Sequence, residues 1–207
     1  MKKLPQLTLS FLMMIFITAC GPTVKESKWE NGNMRSRIEY AGEAINGTAV
    51  WYFENGNKEQ EAHYVDNILN GEMKRWYQNG QTETLANYNM GLLEGKVMTY
   101  SDKGQLISEE NYVNDTLNGS YTLWYPTGEL KITGQYDKGL FQGRWVYYAN
   151  VGEIVGVGNY DKGTGMQKAW WPNGNIKREV PYLNNEKHGE ERIFDENGKL
   201  ERVIEHP

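Results

Sequence analysis

From Trp29 to Ile204 the chain is built of short runs in which apolar and polar positions alternate. The runs are five to seven residues long and rich in Thr, Val, Tyr and Trp, and Asn-Gly or another Xaa-Gly pair separates them. Alternation with a period of two over such short stretches predicts β-strands and not helices. The punctuation is regular. Turn glycines stand at Gly32, Gly56, Gly80, Gly104, Gly128, Gly152, Gly174 and Gly198, and six of the seven spacings are 24 residues, the exception being the 22 between Gly152 and Gly174.

Three further columns keep the same phase. Eight residues after the turn glycines come Tyr40, Tyr64, Tyr88, Tyr112, Tyr136, Tyr160 and Tyr182. A second glycine series lies before each turn, at Gly47, Gly71, Gly95, Gly119, Gly143, Gly165 and Gly189. Five residues after each of these is an aromatic: Tyr52, Trp76, Tyr100, Trp124, Tyr148, Trp170 and Phe194. A fixed period of this length marks a repeat architecture. Each unit reads as one β-hairpin, about seven of them over residues 29–207.

Asn-Gly at 55–56, 79–80, 173–174 and 197–198 predicts a two-residue type I′ turn, which tolerates positive φ at both positions. That turn sets Gln78 against Gln81, Tyr77 against Thr82 and Gly71 against Tyr88. The same register places Gly47 opposite Tyr64, Gly95 opposite Tyr112 and Gly165 opposite Tyr182, each ring compensating for a side chain the glycine lacks. Two residues before the second glycines run Ile45, Leu69, Leu93, Leu117 and Phe141, followed by Gly163 and Lys187. The apolar series and the 24-residue spacing fail together, which predicts an irregularity at 158–168.

Composition narrows the architecture. Apolar residues are 39% of the chain, aromatics 13%, with 14 Tyr, 7 Trp and 23 Gly. Aliphatic side chains are too few past position 20 for a thick two-layer core. A single sheet covered by rings fits better. The first residues stand apart: Lys2 and Lys3 precede an apolar run from Leu7 to Ile17 that ends in Ile17-Thr18-Ala19-Cys20. This has the order of a secretory signal, over 1–19, and resembles the lipobox of bacterial lipoproteins. Cys20, the one cysteine of the chain, is then the acylated mature N-terminus, and 20–28 a flexible tether. The localisation expected is the bacterial cell envelope, held to a membrane by acyl chains. With 22 basic and 27 acidic residues the net charge is −5, which argues against nucleic acid as a partner.

The runs FENGNKEQEAHYVDNILNG and QNGQTETLANYNMGLLEG resemble the variant MORN repeat of bacterial proteins, over nearly all of the chain past residue 29. The resemblance implies hairpins joined edge to edge in one elongated, twisted, single-layer antiparallel sheet. Members are often labelled antitoxin components of toxin–antitoxin systems, and eukaryotic relatives act as scaffolds. It implies the columns Gly56, Gly80, Gly104, Gly128, Gly174, Gly198 and Tyr64, Tyr88, Tyr112, Tyr136, Tyr160, Tyr182 as structural positions.

The residues point to no catalytic chemistry. His63, His188 and His206 share no ligand spacing, so no metal or other cofactor is expected. No nucleophile elbow or P-loop occurs. The pairs Glu109-Glu110, Glu190-Glu191 and Asp195-Glu196 are strand neighbours and point to opposite faces. Asp66, Asp115, Asp137 and Asp161 could hold calcium between repeats, but acids in loops more often form turns. Aromatics outside the columns remain as partner-binding candidates: Trp51, Tyr121, Trp145, Tyr147 and Trp171, with Trp170 beside the last. The expectation is a non-catalytic, membrane-anchored scaffold that binds a protein partner, an antitoxin-like role being one form of it. The alternative is a glycan-binding module.

Overall fold

The computed structural model describes residues 21–207. Cys20 and the signal-like segment 1–19 lie outside the described residues. Among the described residues eighteen strands form one sheet. The first hairpins are β1 (Thr23–Lys28) with β2 (Met34–Ala41), β3 (Ala44–Tyr52) with β4 (Lys58–Val65), and β5 (Ile68–Trp76) with β6 (Thr82–Asn89). An interrupted strand, β7 (Leu92–Leu93) and β8 (Gly95–Tyr100), then pairs with β9 (Leu106–Val113). After it come β10 (Thr116–Trp124) with β11 (Leu130–Asp137), β12 (Leu140–Tyr148) with β13 (Ile154–Asp161), and β14 (Thr164–Trp170) with β15 (Ile176–Leu183). A second interrupted strand, β16 (Glu186–Lys187) and β17 (Gly189–Phe194), pairs with β18 (Leu200–His206). Each strand pairs antiparallel with its neighbours in sequence, so the chain is an open, all-β meander of tandem hairpins.

β1 was expected to be tether. It is a strand because Thr23 stands one period before Gly47 and pairs with Tyr40 as Gly47 pairs with Tyr64. All six of its side chains are exposed, so no apolar pattern marked it.

The expected facing pairs all form: Gly47 with Tyr64, Gly71 with Tyr88, Gly95 with Tyr112 and Gly165 with Tyr182. The turns that produce them are not those expected. At 77–81 the amide of Gly80 donates to the carbonyl of Tyr77 (2.9 Å) and that of Tyr77 to Gln81 (2.8 Å). Gly80 has φ +88° while Asn79 is not at positive φ. This is a three-residue loop closed by a glycine bulge. A further bulge follows, since Arg75 faces Thr84 but Trp76 faces Thr82. The longer loop and the extra residue cancel, which is why the far register agrees. The type I′ signature sits at the other turns, where both central residues have positive φ: Asp66 (49°) and Asn67 (67°), Asn114 (47°) and Asp115 (62°), Asn184 (51°) and Asn185 (69°).

The asparagines of Asn-Gly have another use. Asn55 Nδ2 donates to the carbonyl of Gln78 (2.9 Å), Asn79 Nδ2 to Asp102 (2.7 Å) and Asn173 Nδ2 to Glu196 (2.7 Å). At these places, and at Asn31 with the carbonyl of Glu54, one turn is bonded to the turn of the next hairpin. The opposite ends are bonded likewise, with Asn67 N donating to Ile45 O, Gly91 N to Leu69 O, and so on to Asn185 N and Gly163 O. These two ladders satisfy polar backbone that a thin sheet leaves near solvent.

The expected irregularity is real but inverted. Between hairpins the register shifts by two: Ala62 faces Met73, yet Tyr64 faces Leu69. His63 therefore spans Asn70, Gly71 and Glu72, and Gly71 adopts φ +114° with its missing Cβ only 3.3 Å from the Cβ of His63. The glycine is kept for this bulge, not chiefly for its facing tyrosine. Between β13 and β14 the register runs unbroken from Gly156–Ala169 to Asp161–Thr164. The two residues missing from the 22-residue spacing are the two that make the bulge elsewhere. The copy that looks defective in sequence is the regular one in structure.

Candidate binding face at the C-terminal hairpins

One face of the sheet carries the tyrosine column and a row of cross-strand neighbours. In the N-terminal half that row is small, with Ala49 and Ala62 fully buried and Ala86 nearly so. In the centre it turns aromatic. Trp145 is 3% exposed. Its ring lies 5.5 Å from Tyr121 and nearly parallel to it, 5.0 Å from Tyr136 and 4.6 Å from Phe141. Phe141 continues the cluster to Tyr160 (5.2 Å), which meets Tyr182 (5.5 Å). Glycines make the room: a Cβ on Gly134 would lie 2.2 Å from the Trp145 ring, and one on Gly158 2.3 Å from Tyr160. Burial pushes the Tyr136 hydroxyl up to about 12 and raises that of Tyr160 as well. Phases that break the column here mark a small core.

Several of the candidate contact residues lie in or beside this core. Tyr121 and Trp145 are brought together, but as packing, and Trp145 Nε1 is spent on the carbonyl of Gln135 (3.1 Å). Tyr147 is half-buried at the edge of the same cluster, and burial raises its hydroxyl. Trp51 stands apart, edge-on to Tyr64 at 6.3 Å. Trp170 and Trp171 remain on a surface. They line an open groove of about 510 Å³ with Ile154, Val155, Pro172 and Lys177. Ile154 and Val155 are 50% and 39% exposed. Trp171 is held by its Nε1 donating to the carbonyl of Phe194 (3.0 Å), with the Lys177 ammonium 4.2 Å from the ring centre. The groove is rigidly walled on one side by a cation–π pair.

A second groove of about 410 Å³ adjoins it and shares Lys177 and Arg178. Its floor is Glu191, among the most buried side chains of the chain at 2% exposed. Arg178 Nε donates to Glu191 Oε1 (2.6 Å), Lys187 Nζ donates to Oε2 (3.0 Å), and His206 Nε2 lies 2.7 Å from Oε2. The Arg178 hydrogen bond above all, then those of His206 and Lys187, holds the Glu191 carboxyl at about 2 against the cost of its burial. A buried carboxylate so surrounded is ionised and satisfied. Arg202 and Ile204 complete the wall.

Sequence reasoning missed this cluster. His206 is not out of phase: it faces Gly189 and fills the tyrosine position of the last hairpin. Arg178, Ile193 and Arg202 are cross-strand neighbours in one row. The spacing of 24 would have predicted that row had the basic positions been laid on the register as the glycines were. Among the described residues no group of His, Cys, Asp and Glu stands close enough to hold a metal ion.

Asn185 locks these hairpins to the aromatic cluster. In two other copies the second residue of a turn caps a backbone amide of the preceding hairpin: Asn67 Oδ1 accepts from Ile45 N (2.8 Å) and Asp115 Oδ1 from Leu93 N (2.6 Å). The equivalent residue for Phe141 is Gly163, which has no side chain. Asn185 reaches across instead, accepting from Phe141 N (2.7 Å) and donating to Gly139 O (2.7 Å). A turn is thereby tied to one two hairpins away.

The MORN repeat variant model matches residues 45–66, 69–90, 93–114, 117–138, 164–184 and 187–206. Two hairpins are unmatched, β1 with β2 and β12 with β13, and the second supplies Phe141, Trp145 and Tyr160. None of the curated proteins compared matches the chain. Among solved structures, the crystal structure of TcdB2-TccC3-Cdc42 is similar at 12% identity over 85% of this chain, with a TM-score of 0.20. This chain spans 14% of that one, and so distant a likeness carries no argument. The six matched copies cover more than half of the sequence and share the hairpin meander, so the chain belongs to the MORN repeat variant family.

Proposed function

We propose that this protein is a non-catalytic scaffold that binds a protein partner, and that acylated Cys20 holds it at a membrane of the bacterial envelope. The observation that supports partner binding is the pair of adjoining grooves at β14, β15, β17 and β18. There an exposed apolar wall and a row of cations meet on a scaffold fixed by ladders of turn hydrogen bonds. Rigid, open surfaces of mixed chemistry are suited to binding a polypeptide, where recognition comes from a few anchoring side chains. An antitoxin-like role is one form of this reading, with an envelope-acting toxin as the partner. Crosslinking in native membranes, with partners identified by mass spectrometry, tests it: one protein should be enriched with wild type and lost when Trp170→Ala is introduced. Enrichment unaffected by that change, or no enriched protein, refutes it. Cys20→Ser should leave the protein unanchored, and release of wild type by salt alone would count against the lipid anchor.

A glycan is the second reading, favoured by the accessible Trp170 ring beside Pro172. A sugar that stacks there should quench tryptophan emission in wild type and not in Trp170→Ala.

A further inference from the structure

We propose that the two adjoining grooves of the C-terminal hairpins bind an acidic segment of the protein partner. Its carboxylates lie against Arg178 and Arg202, and an apolar side chain lies against Trp170 and Ile154. This rests on the protein-binding reading above and names the chemistry of the partner.

The charge balance argues for it. The chain as a whole has more acids than bases and a net charge of −5. The inner groove reverses that sign, with Lys177, Arg178, Lys187 and Arg202 around the single carboxylate of Glu191. Glu191 is fixed by three partners and cannot move to others. Arg178 engages it through Nε. Arg202 makes no ion pair among the described residues, and Lys177 makes only the contact with the Trp171 ring. An excess of cations over a satisfied carboxylate fits an anionic ligand.

The geometry selects a segment over a small ion. Arg178 and Arg202 lie two strands apart with Ile193 between them, roughly 10 Å at the usual spacing of strands. The two side chains are long enough to converge on one anion or to hold two apart, so the outer groove makes the choice. A chain that lays acids on Arg178 and Arg202 brings an apolar neighbour into the outer groove, because Lys177 and Arg178 line both, whereas a small ion leaves that apolar wall uncovered.

Fluorescence anisotropy with the full chain in detergent tests the inference. The probe is a fluorescein-labelled decapeptide alternating Glu with Leu and Phe, and the control replaces each Glu by Gln. Wild type should bind the Glu peptide about tenfold more tightly than the Gln peptide, with affinity falling as salt is raised. Lys177→Glu with Arg202→Glu should abolish that preference, while Arg202→Lys should largely keep it. Both positions are exposed, and an unchanged far-ultraviolet spectrum checks the fold. Should the double reversal misfold, Arg202→Gln alone should still lose part of the preference. Equal binding of the two peptides, or a preference that survives charge reversal, overturns the inference. So does saturable binding of inorganic phosphate, or of vesicles of anionic lipid, that charge reversal abolishes while the peptide fails to bind. A partner crosslinked equally to wild type and to the charge-reversed protein leaves the protein-binding reading standing and this inference refuted.

Discussion

Replacing Glu191 by Gln removes one charge and little volume from the floor of the cationic groove, and its cost can be worked from the structure. The carboxyl is held at about 2 instead of the ordinary 4.5. At ~1.4 kcal/mol per unit this corresponds to roughly 3 kcal/mol. The side chains of Arg178 and Lys187 are 40% and 39% exposed, and screening on their solvent side reduces the figure to roughly 2 kcal/mol. The sign follows from the depressed value. The contribution is complete above the ordinary carboxyl range and is lost as pH falls from 4.5 through about 2. The gap between wild type and Glu191→Gln should therefore be full at neutral pH and close over that acid window. A global melt is the wrong assay, because units of a repeat array open with their neighbours and not as one body. Hydrogen exchange of the β17 and β18 amides is the right one. Glu191→Gln should speed it by about 30-fold at neutral pH and leave the hairpin of β5 and β6 unchanged. A gap that persists below the acid window refutes the electrostatic account. Equal acceleration in β5 and β6 refutes the local one.

Other parts of the fold give sharper yes-or-no results. Gly134→Ala places a Cβ 2.2 Å from the Trp145 ring, so the ring must move; a loss of about 1–3 kcal/mol with an altered near-ultraviolet spectrum is expected. Asn185→Ala strips a hydrogen bond from Phe141 N and another from Gly139 O. It should cost about 1–3 kcal/mol, seen as faster exchange of the Phe141 amide, whereas an unchanged amide would mean the clamp is idle. Tyr136, raised from 10.0 to about 12 by burial, contributes stability that is present below the ordinary value and lost as pH rises through the raised one. Alkaline titration followed by tyrosinate absorbance should show late-titrating tyrosines, and Tyr136→Phe should lower their number by one while Tyr112 and Tyr160 still titrate late.

Much of the fold was legible because a strand register is arithmetic. Once Gly71 is set against Tyr88, the glycine–tyrosine pairs of the other hairpins follow at intervals of 24, with the one step of 22 carried to Gly165 and Tyr182. What failed were details to which the arithmetic is blind. A three-residue turn with a compensating bulge at Arg75–Trp76 leaves the same far register as the simpler turn expected at Asn79-Gly80. Asn79 suggested positive φ, yet its amide was wanted for the carbonyl of Asp102. β1 was invisible because an edge strand with six exposed side chains has no apolar alternation. Of the candidate contacts, Trp145 broke phase because glycines at 134 and 158 opened space above the sheet. That required knowing which residues face across strands, not merely which recur. The cationic groove was missed because charges were read along the chain and not across the register that brings Arg178, Ile193 and Arg202 into line.

The clamp at Asn185 has a mechanical consequence. Strand hydrogen bonds in an antiparallel sheet run perpendicular to the strands, and so along the length of this meander. A pull between its two ends would load those bonds one strand at a time and peel the hairpins off in series, each yielding at low force. The strands from β12 to β15 would not follow that order. Asn185 ties the turn after β15 to the start of β12, so those strands and the aromatic side chains they carry must give way together. Under tension that block would be the last part of the molecule to lose its shape, while β17 and β18, which carry Glu191 and Arg202 outside the clamp, and the alanine-lined hairpins toward the N-terminal end lengthen first.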